Sequence, residues 1–361
     1  MGATFPISAG LRRAFIGASE VAVSQPRFLL AFFGGFPNAM KSVETEYIES
    51  DLFKTKVRVA KFVNPDAVAK GTEKLTFVEQ QIKLPTIKDK RSLTSKEMRS
   101  KGFGETIYDS SSNQTRVAAA MDGELVDMDS TIMNRLELMA IESIFEGRMT
   151  IVGDGENRII DYSRKTGLSI NLGAGNYYGS NGGKPNEDFD DFIALLGENG
   201  YTATHVVGRL ATMKVLANHT AIKSEIDNRR IENGNLRFQS MMKEKGAIYY
   251  GMYKNCELWG YDGNYVDNAG VSQKAVPAKK IAFIAAETDN TIIPGYAGDM
   301  HIDSGALSTE SMQVSITADK KVQKIHVGGD ISAPTLELYM GQTVAPIMPD
   351  ADCAVVVQIL A

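Results

Sequence analysis

The stretch 117–153, VAAAMDGELVDMDSTIMNRLELMAIESIFEGRMTIVG, constrains this chain more than any other. Met133, Leu136, Ala140 and Ile144 step by three, four and four. Ile132, Met139 and Phe145 flank the same stripe, which is the period of one helix with a broad apolar face. Asp127 and Asp129 offer N-cap oxygens and favourable charge at the start. Gly147 with Arg148 reads as the stop, and Met149-Thr150-Ile151-Val152 as the strand that follows. The spacing predicts a helix over 129–146, roughly five turns and about 25 to 30 Å long. Such a helix can be the beam of a flat, extended subunit.

The rest of the chain is long enough to pack against that beam. With 361 residues, two or three domains are expected, and 43% hydrophobic with 23% charged residues suits a sizeable core. A net charge of −5 argues against a strongly basic groove for nucleic acid. Cys256 and Cys353 form no metal or disulfide pattern and read as two small buried hydrophobes. Phe28 to Phe36 is the most apolar run near the start, yet it is too short to span a bilayer. Arg12-Arg13 is similar to a twin-arginine export signal, but Glu20 and Gln25-Pro26-Arg27 interrupt the apolar segment such a signal needs. Pro6 stands where a myristoylation signal needs Ser or Thr. No membrane association is expected.

In chain order, residues 1–46 carry small and apolar residues with breaks at Pro6, Pro26 and Pro37, and no long periodic face. A segment of this kind is ordered by lying on something else. Residues 47–110 turn to strand patterns: Val57, Val59 and Phe62-Val63 alternate with Lys56, Arg58 and Lys61, and after turn chemistry at Asn64-Pro65-Asp66 and Lys70-Gly71-Thr72 the pattern resumes at Leu75–Val78 and Gln81–Leu84. This predicts a long two-stranded excursion. Its return is basic: Lys83, Lys88, Lys90, Arg91, Lys96, Arg99 and Lys101 stand against Asp89, Glu97 and Glu105. A solvated face explains such a run; docking on an acidic surface of a neighbouring subunit is the sharper alternative. Residues 188–200 read as a helix, 202–207 as a strand, and Leu210, Met213, Leu216 and Ala217 begin a helix running to Ile226. Strands follow at 248–250 and 256–261. Asp262-Gly263 then predicts a tight turn returning through Asn264-Tyr265-Val266, and 281–286 reads as a short buried strand. The tail, Ala354-Val355-Val356-Val357-Gln358-Ile359-Leu360, is a near-continuous apolar strand that must pair inside a sheet, and the sheet beside the long helix is the expected place.

The order of these features resembles the major capsid protein E family of lambda-like tailed phages. The resemblance is carried by Phe28-Leu29-Leu30-Ala31-Phe32-Phe33, Leu84-Pro85-Thr86-Ile87-Lys88-Asp89-Lys90, Gly251-Met252-Tyr253, the turn Tyr265–Gly270, and the tail from Ala345-Pro346-Ile347-Met348-Pro349-Asp350 to Leu360. It implies an α+β, HK-ninety-seven-like capsid fold: an N-terminal arm at 1–46, an extended loop at 47–110 and a peripheral domain at 111–194 and 326–361 with its spine helix at 129–146. An α/β axial domain takes 195–325. In such a fold the arm and loop touch neighbouring copies, which makes Phe28, Phe32, Phe33, Lys83, Lys88, Lys90, Arg91 and Arg99 the candidate intersubunit contacts. The implied partners are other copies of the chain in hexamers and pentamers, a scaffold protein, a portal, a decoration protein and packaged double-stranded DNA without sequence-specific binding. The place is the virion capsid, assembled in the bacterial host cytoplasm. The arm-like sequence begins almost at Met1, which favours a separate scaffold. No positions match the Lys and Asn used for covalent crosslinks in some relatives.

Chemistry has little foothold. His205, His219, His301 and His326 are scattered and make no HExxH or close ligand pair, so neither a metal nor any other cofactor is expected. The Gly-rich stretch 171–190 fails as a phosphate loop because Pro185 follows Gly183-Lys184, and Gly173-Ala174-Gly175 lacks the third glycine of a dinucleotide fingerprint. No GxSxG elbow occurs. Asp303-Ser304-Gly305 looks like one half of an aspartic peptidase site, but the two carboxylates that share a proton need a second triplet, which is absent. With no catalytic motif to set against it, the resemblance implies a structural, non-catalytic head protein of a tailed phage or prophage. The alternatives are a peptidase using Asp303 and a bacterial nanocompartment shell of the same fold.

Overall fold

The structure, a computed structural model, describes residues 27–34, 47–53, 77–94, 96–97, 113–153, 156–179, 183–233, 246–266, 270–285, 288–295, 312–316, 321–330 and 333–361. The organising element is a helix of 34 residues, α1 (Asn113–Glu146), about 50 Å long at 1.5 Å per residue. It begins sixteen residues before the start expected from Asp127 and Asp129. Ala118-Ala119-Ala120-Met121 are good helix formers, and the apolar stripe extends back through Met128, Leu125 and Met121, all buried. Asp129 is no cap: its carboxylate meets the Lys321 ammonium in a buried ion pair 192 residues away in sequence. The C-terminal stop is as expected. Gly147 takes φ +68, and an added Cβ there would sit 3.0 Å from the Arg164 Cβ.

Two sheets pack on this helix. A six-stranded sheet comprises β6 (Ser169–Asn171), β7 (Ala203–Gly208), β8 (Ala247–Tyr253), β9 (Cys256–Tyr261), β12 (Lys280–Ala285) and β17 (Ala354–Gln358), in the order β6-β17-β12-β7-β9-β8. A five-stranded sheet is built on the 15-residue β16 (Ala333–Ile347). Antiparallel to β16 pair β3 (Thr86–Thr94), β13 (Thr291–Pro294) and β15 (Val322–Asp330), and β15 pairs in turn with β14 (Met312–Ile316). Three two-stranded ribbons complete the strands: β1 (Tyr47–Phe53) with β2 (Phe77–Lys83), β4 (Arg148–Gly153) with β5 (Glu156–Asp161), and β10 (Asn264–Val266) with β11 (Ser272–Lys274). The remaining helices are α2 (Pro185–Glu198), α3 (Leu210–Asn218) and α4 (Thr220–Asn233).

The tail, β17, pairs inside a sheet that packs on α1, as expected. Within that six-stranded sheet, however, its neighbours are β12, from the stretch expected to be axial, to which it is antiparallel, and β6, to which it is parallel. Alternation gives the reason. Val355 and Val357 face a core shared with α2, α3 and α4, whereas Val356 faces the core shared with α1. Ile281 and Phe283 against Ala282 and Ile284 on β12 divide in the same way. A strand covered on both faces reads as one unbroken apolar run. The turn at Asp262-Gly263 also fails to return the chain onto β9. Instead β9 hairpins with β8 across Lys254 and Asn255, both at positive φ, and β10 pairs with β11.

Candidate assembly interface

The apolar run at Phe28–Phe33 forms a short 3-10 turn over Leu29–Phe33, and its seat lies within the same chain. Phe28, Leu29, Leu30 and Phe33 are fully buried. The Phe28 ring lies 5.8 Å from Trp259 and 5.2 Å from Tyr261 on β9, and Phe32 stands edge-on to His205 of β7 at 5.1 Å. On the other side is α1. The buried Glu137 carboxylate accepts the Leu29 N–H at 2.9 Å and the Leu30 N–H at 3.0 Å, while Arg27 donates to Ser130 Oγ at 3.1 Å. Those N–H groups at the start of the turn have no partner within it, so a carboxylate completes them as an N-cap would. Burial nevertheless dominates, holding the Glu137 carboxyl above the usual range against the bonds from Leu29, Leu30 and Tyr261 and the charge of Arg27.

Phe28 and Phe33 therefore have no surface to offer a neighbour, contrary to their place among the candidate contacts. Phe32 alone of the three is partly exposed. Beneath it, His205 Nδ1 is 2.8 Å from the Thr204 hydroxyl, and its Nε2 is 3.5 Å from Glu257, which also accepts the Trp259 indole N–H at 2.9 Å. Burial holds the His205 imidazolium below the usual range, partly offset by Glu257.

The basic run divides by the parity of β3. Arg91 turns toward α1 and meets Asp127 at 2.7 Å and Glu124 at 3.3 Å. Lys90 turns outward, bonds Glu337 at 2.9 Å and lies over the Tyr339 ring at 4.9 Å, with its pKa pushed up to about 12 by bonds to Tyr339 and Glu337. The acidic surface expected on a neighbour is thus supplied to both residues by their own chain. Lys83, at the end of the β1–β2 ribbon, and Lys88, on the outward face of β3, are exposed. Arg99 lies outside the described residues, as do His301 and the Asp303-Ser304-Gly305 triplet. Among the described residues no three His, Cys, Asp or Glu side chains are grouped to hold a metal ion, and no helix is long and apolar enough to cross a membrane.

One exposed surface was missed. The β4–β5 hairpin turns Arg148, Thr150, Val152, Asn157, Ile159 and Asp161 outward. Its signal was present in Met149-Thr150-Ile151-Val152, where apolar or β-branched residues occupy both parities although only one face is buried among the described residues.

The family model for the phage major capsid protein E matches residues 17–316. The major capsid protein of Escherichia phage lambda is 24% identical over 230 residues, 63% of this chain and 63% of the lambda protein, so under two thirds of that relative's length is matched. A prophage capsid protein from E. coli CFT073 superposes with a TM-score of 0.64 at 14% identity, covering 99% of both chains. The capsid subunit of cyanophage A-1(L) gives 0.50 at 12% identity, covering 94% of both. At those identities the likeness is one of fold, and the fold is that of phage capsid subunits.

Proposed function

The chain belongs to the phage major capsid protein E family, and from that premise we propose that it is the head protein of a tailed double-stranded DNA phage or prophage. Copies associate as rings of six and five that close into an icosahedral shell around the genome. The observation that carries this reading is the family match from residue 17 to residue 316. A scaffold protein and a portal during assembly, a decoration protein, and DNA held without sequence recognition are the partners this function calls for. The proposed division into arm, extended loop, peripheral and axial domains goes with it, as does assembly in the host cytoplasm.

Physical features favour assembly over catalysis. Among the described strands, β1 and β2 pair only with each other, and a two-stranded ribbon is marginal alone in water. Cover from an adjacent copy supplies what such a ribbon lacks. A ring built head to tail repeats that one contact at every member. A net charge of −5 suits a container that encloses DNA without clamping it.

Negative-stain microscopy of the purified chain, alone and with its scaffold, tests the proposal. Rings, sheets or polyhedra are expected; small monodisperse particles at every concentration would refute it. Native particles should contain DNA, whereas an enclosed enzyme would identify a nanocompartment.

A further inference from the structure

The β4–β5 hairpin leaves the end of α1 with only one of its faces buried among the described residues. Met149 and Ile160 point inward and are buried. The outer edge of β4 is also engaged, since the Thr150 N–H donates to Glu142 of α1 at 2.9 Å. On the opposite face Val152 is 64% exposed and Ile159 57% exposed, with Thr150 beside them. β-branched residues of this kind suit a sheet face that something covers. At the base of the same face Arg148 and Asp161 stand opposite each other in register.

Resting on the shell reading, we propose that this face is where two copies of the chain, in adjoining rings, meet about a two-fold axis running along the hairpin. An isologous contact requires a patch to be its own complement. Rotation about that axis lays β4 of one copy over β5 of the other at the same height. Each Arg148 then faces Asp161 of the second copy, each Thr150 faces Ile159, and each Val152 faces Asn157. An axis across the strands instead sets base against tip, placing Arg148 on Val152, so charge selects the first arrangement. The area is small. A stable pair buries on the order of 1,600 Å², so this contact joins rings that other surfaces have already formed and does not hold two isolated chains together.

The test uses the full chain under conditions in which the unaltered protein closes shells. Arg148→Asp places like charges across the axis and is expected to cut the yield of closed shells about tenfold while rings persist. Asp161→Arg is expected to do the same, and the two together to restore closure. Asp161 also accepts the Ser163 N–H at 2.8 Å, so Ile159→Asp provides a second variant whose position has no such duty. Shells at full yield from both Arg148→Asp and Ile159→Asp overturn the contact and leave the shell reading intact. So does a folded double swap that does not recover closure. An unaltered chain that never forms rings overturns both.

Discussion

Glu137 places a carboxylate between two units that are far apart in sequence: it sits on α1, accepts from Leu29 and Leu30, and takes the Tyr261 hydroxyl from β9. Glu137→Ala would orphan two buried N–H groups and open a void, at a cost of about 2 to 4 kcal/mol in chemical unfolding. The pH dependence has a definite sign. Burial raises the folded pKa above the ordinary glutamate value, so the native state holds its proton more tightly than the unfolded chain. The associated stability is fully present below the ordinary value and is lost as pH rises through the raised one. Glu137→Gln cannot titrate, so the wild-type protein should lose stability relative to this variant as pH climbs from the ordinary glutamate range upward. A difference that stays flat across that window, measured by denaturant midpoints, would exclude Glu137 as the titrating group.

At the scale of elements, the end of α1 and the start of the tail are fastened by one side chain. Arg164 donates to the Ser143 carbonyl at 3.2 Å, to Ile144 at 2.5 Å and to Ala351 at 3.1 Å. It thereby places a cation where the helix leaves its last carbonyls unpaired. Burial lowers its pKa, so part of that gain is offset, and Arg164→Ala should cost about 2 kcal/mol net, read as a lower midpoint in denaturant. What the sequence revealed follows the same division between near and far. α1 itself, its glycine stop and the strand after it were legible because period and cap are local. Its start was not, because Asp129 lies within the helix and answers to Lys321, a partner that only folding brings to it. Likewise Lys90 and Arg91 read as an unmatched basic run because Glu337, Glu124 and Asp127 enter only through folding. The two-sided burial of β17 was legible as an apolar run, while its strand neighbours β12 and β6 were not. Apolar content says that a strand is covered and leaves open by what.

For the whole molecule the same ambiguity decides how folding relates to assembly. Phe28–Phe33 was expected to acquire its core from a neighbour, since its sequence offers no private face. In the structure its apolar side chains lie in the main core between α1 and the six-stranded sheet, so this part of the fold is complete in one copy. Among the described residues, the β1–β2 ribbon and the outward face of β4–β5 are surfaces that stand to gain from association. Folding should then precede assembly, and stability below the assembly threshold should not depend on protomer concentration. Trp259 can report this directly, being the one tryptophan of the chain, buried and packed against Phe28. Dilute, unassembled protein should show the blue-shifted emission of a buried indole and unfold in one transition whose midpoint is unchanged over a tenfold dilution. Phe28→Ala should shift that emission to the red and lower stability by about 3 to 5 kcal/mol, the range for emptying a phenylalanine site. Solvent-like Trp259 emission in the unassembled chain, becoming blue only when rings form, would mean that the seat is made by neighbours after all.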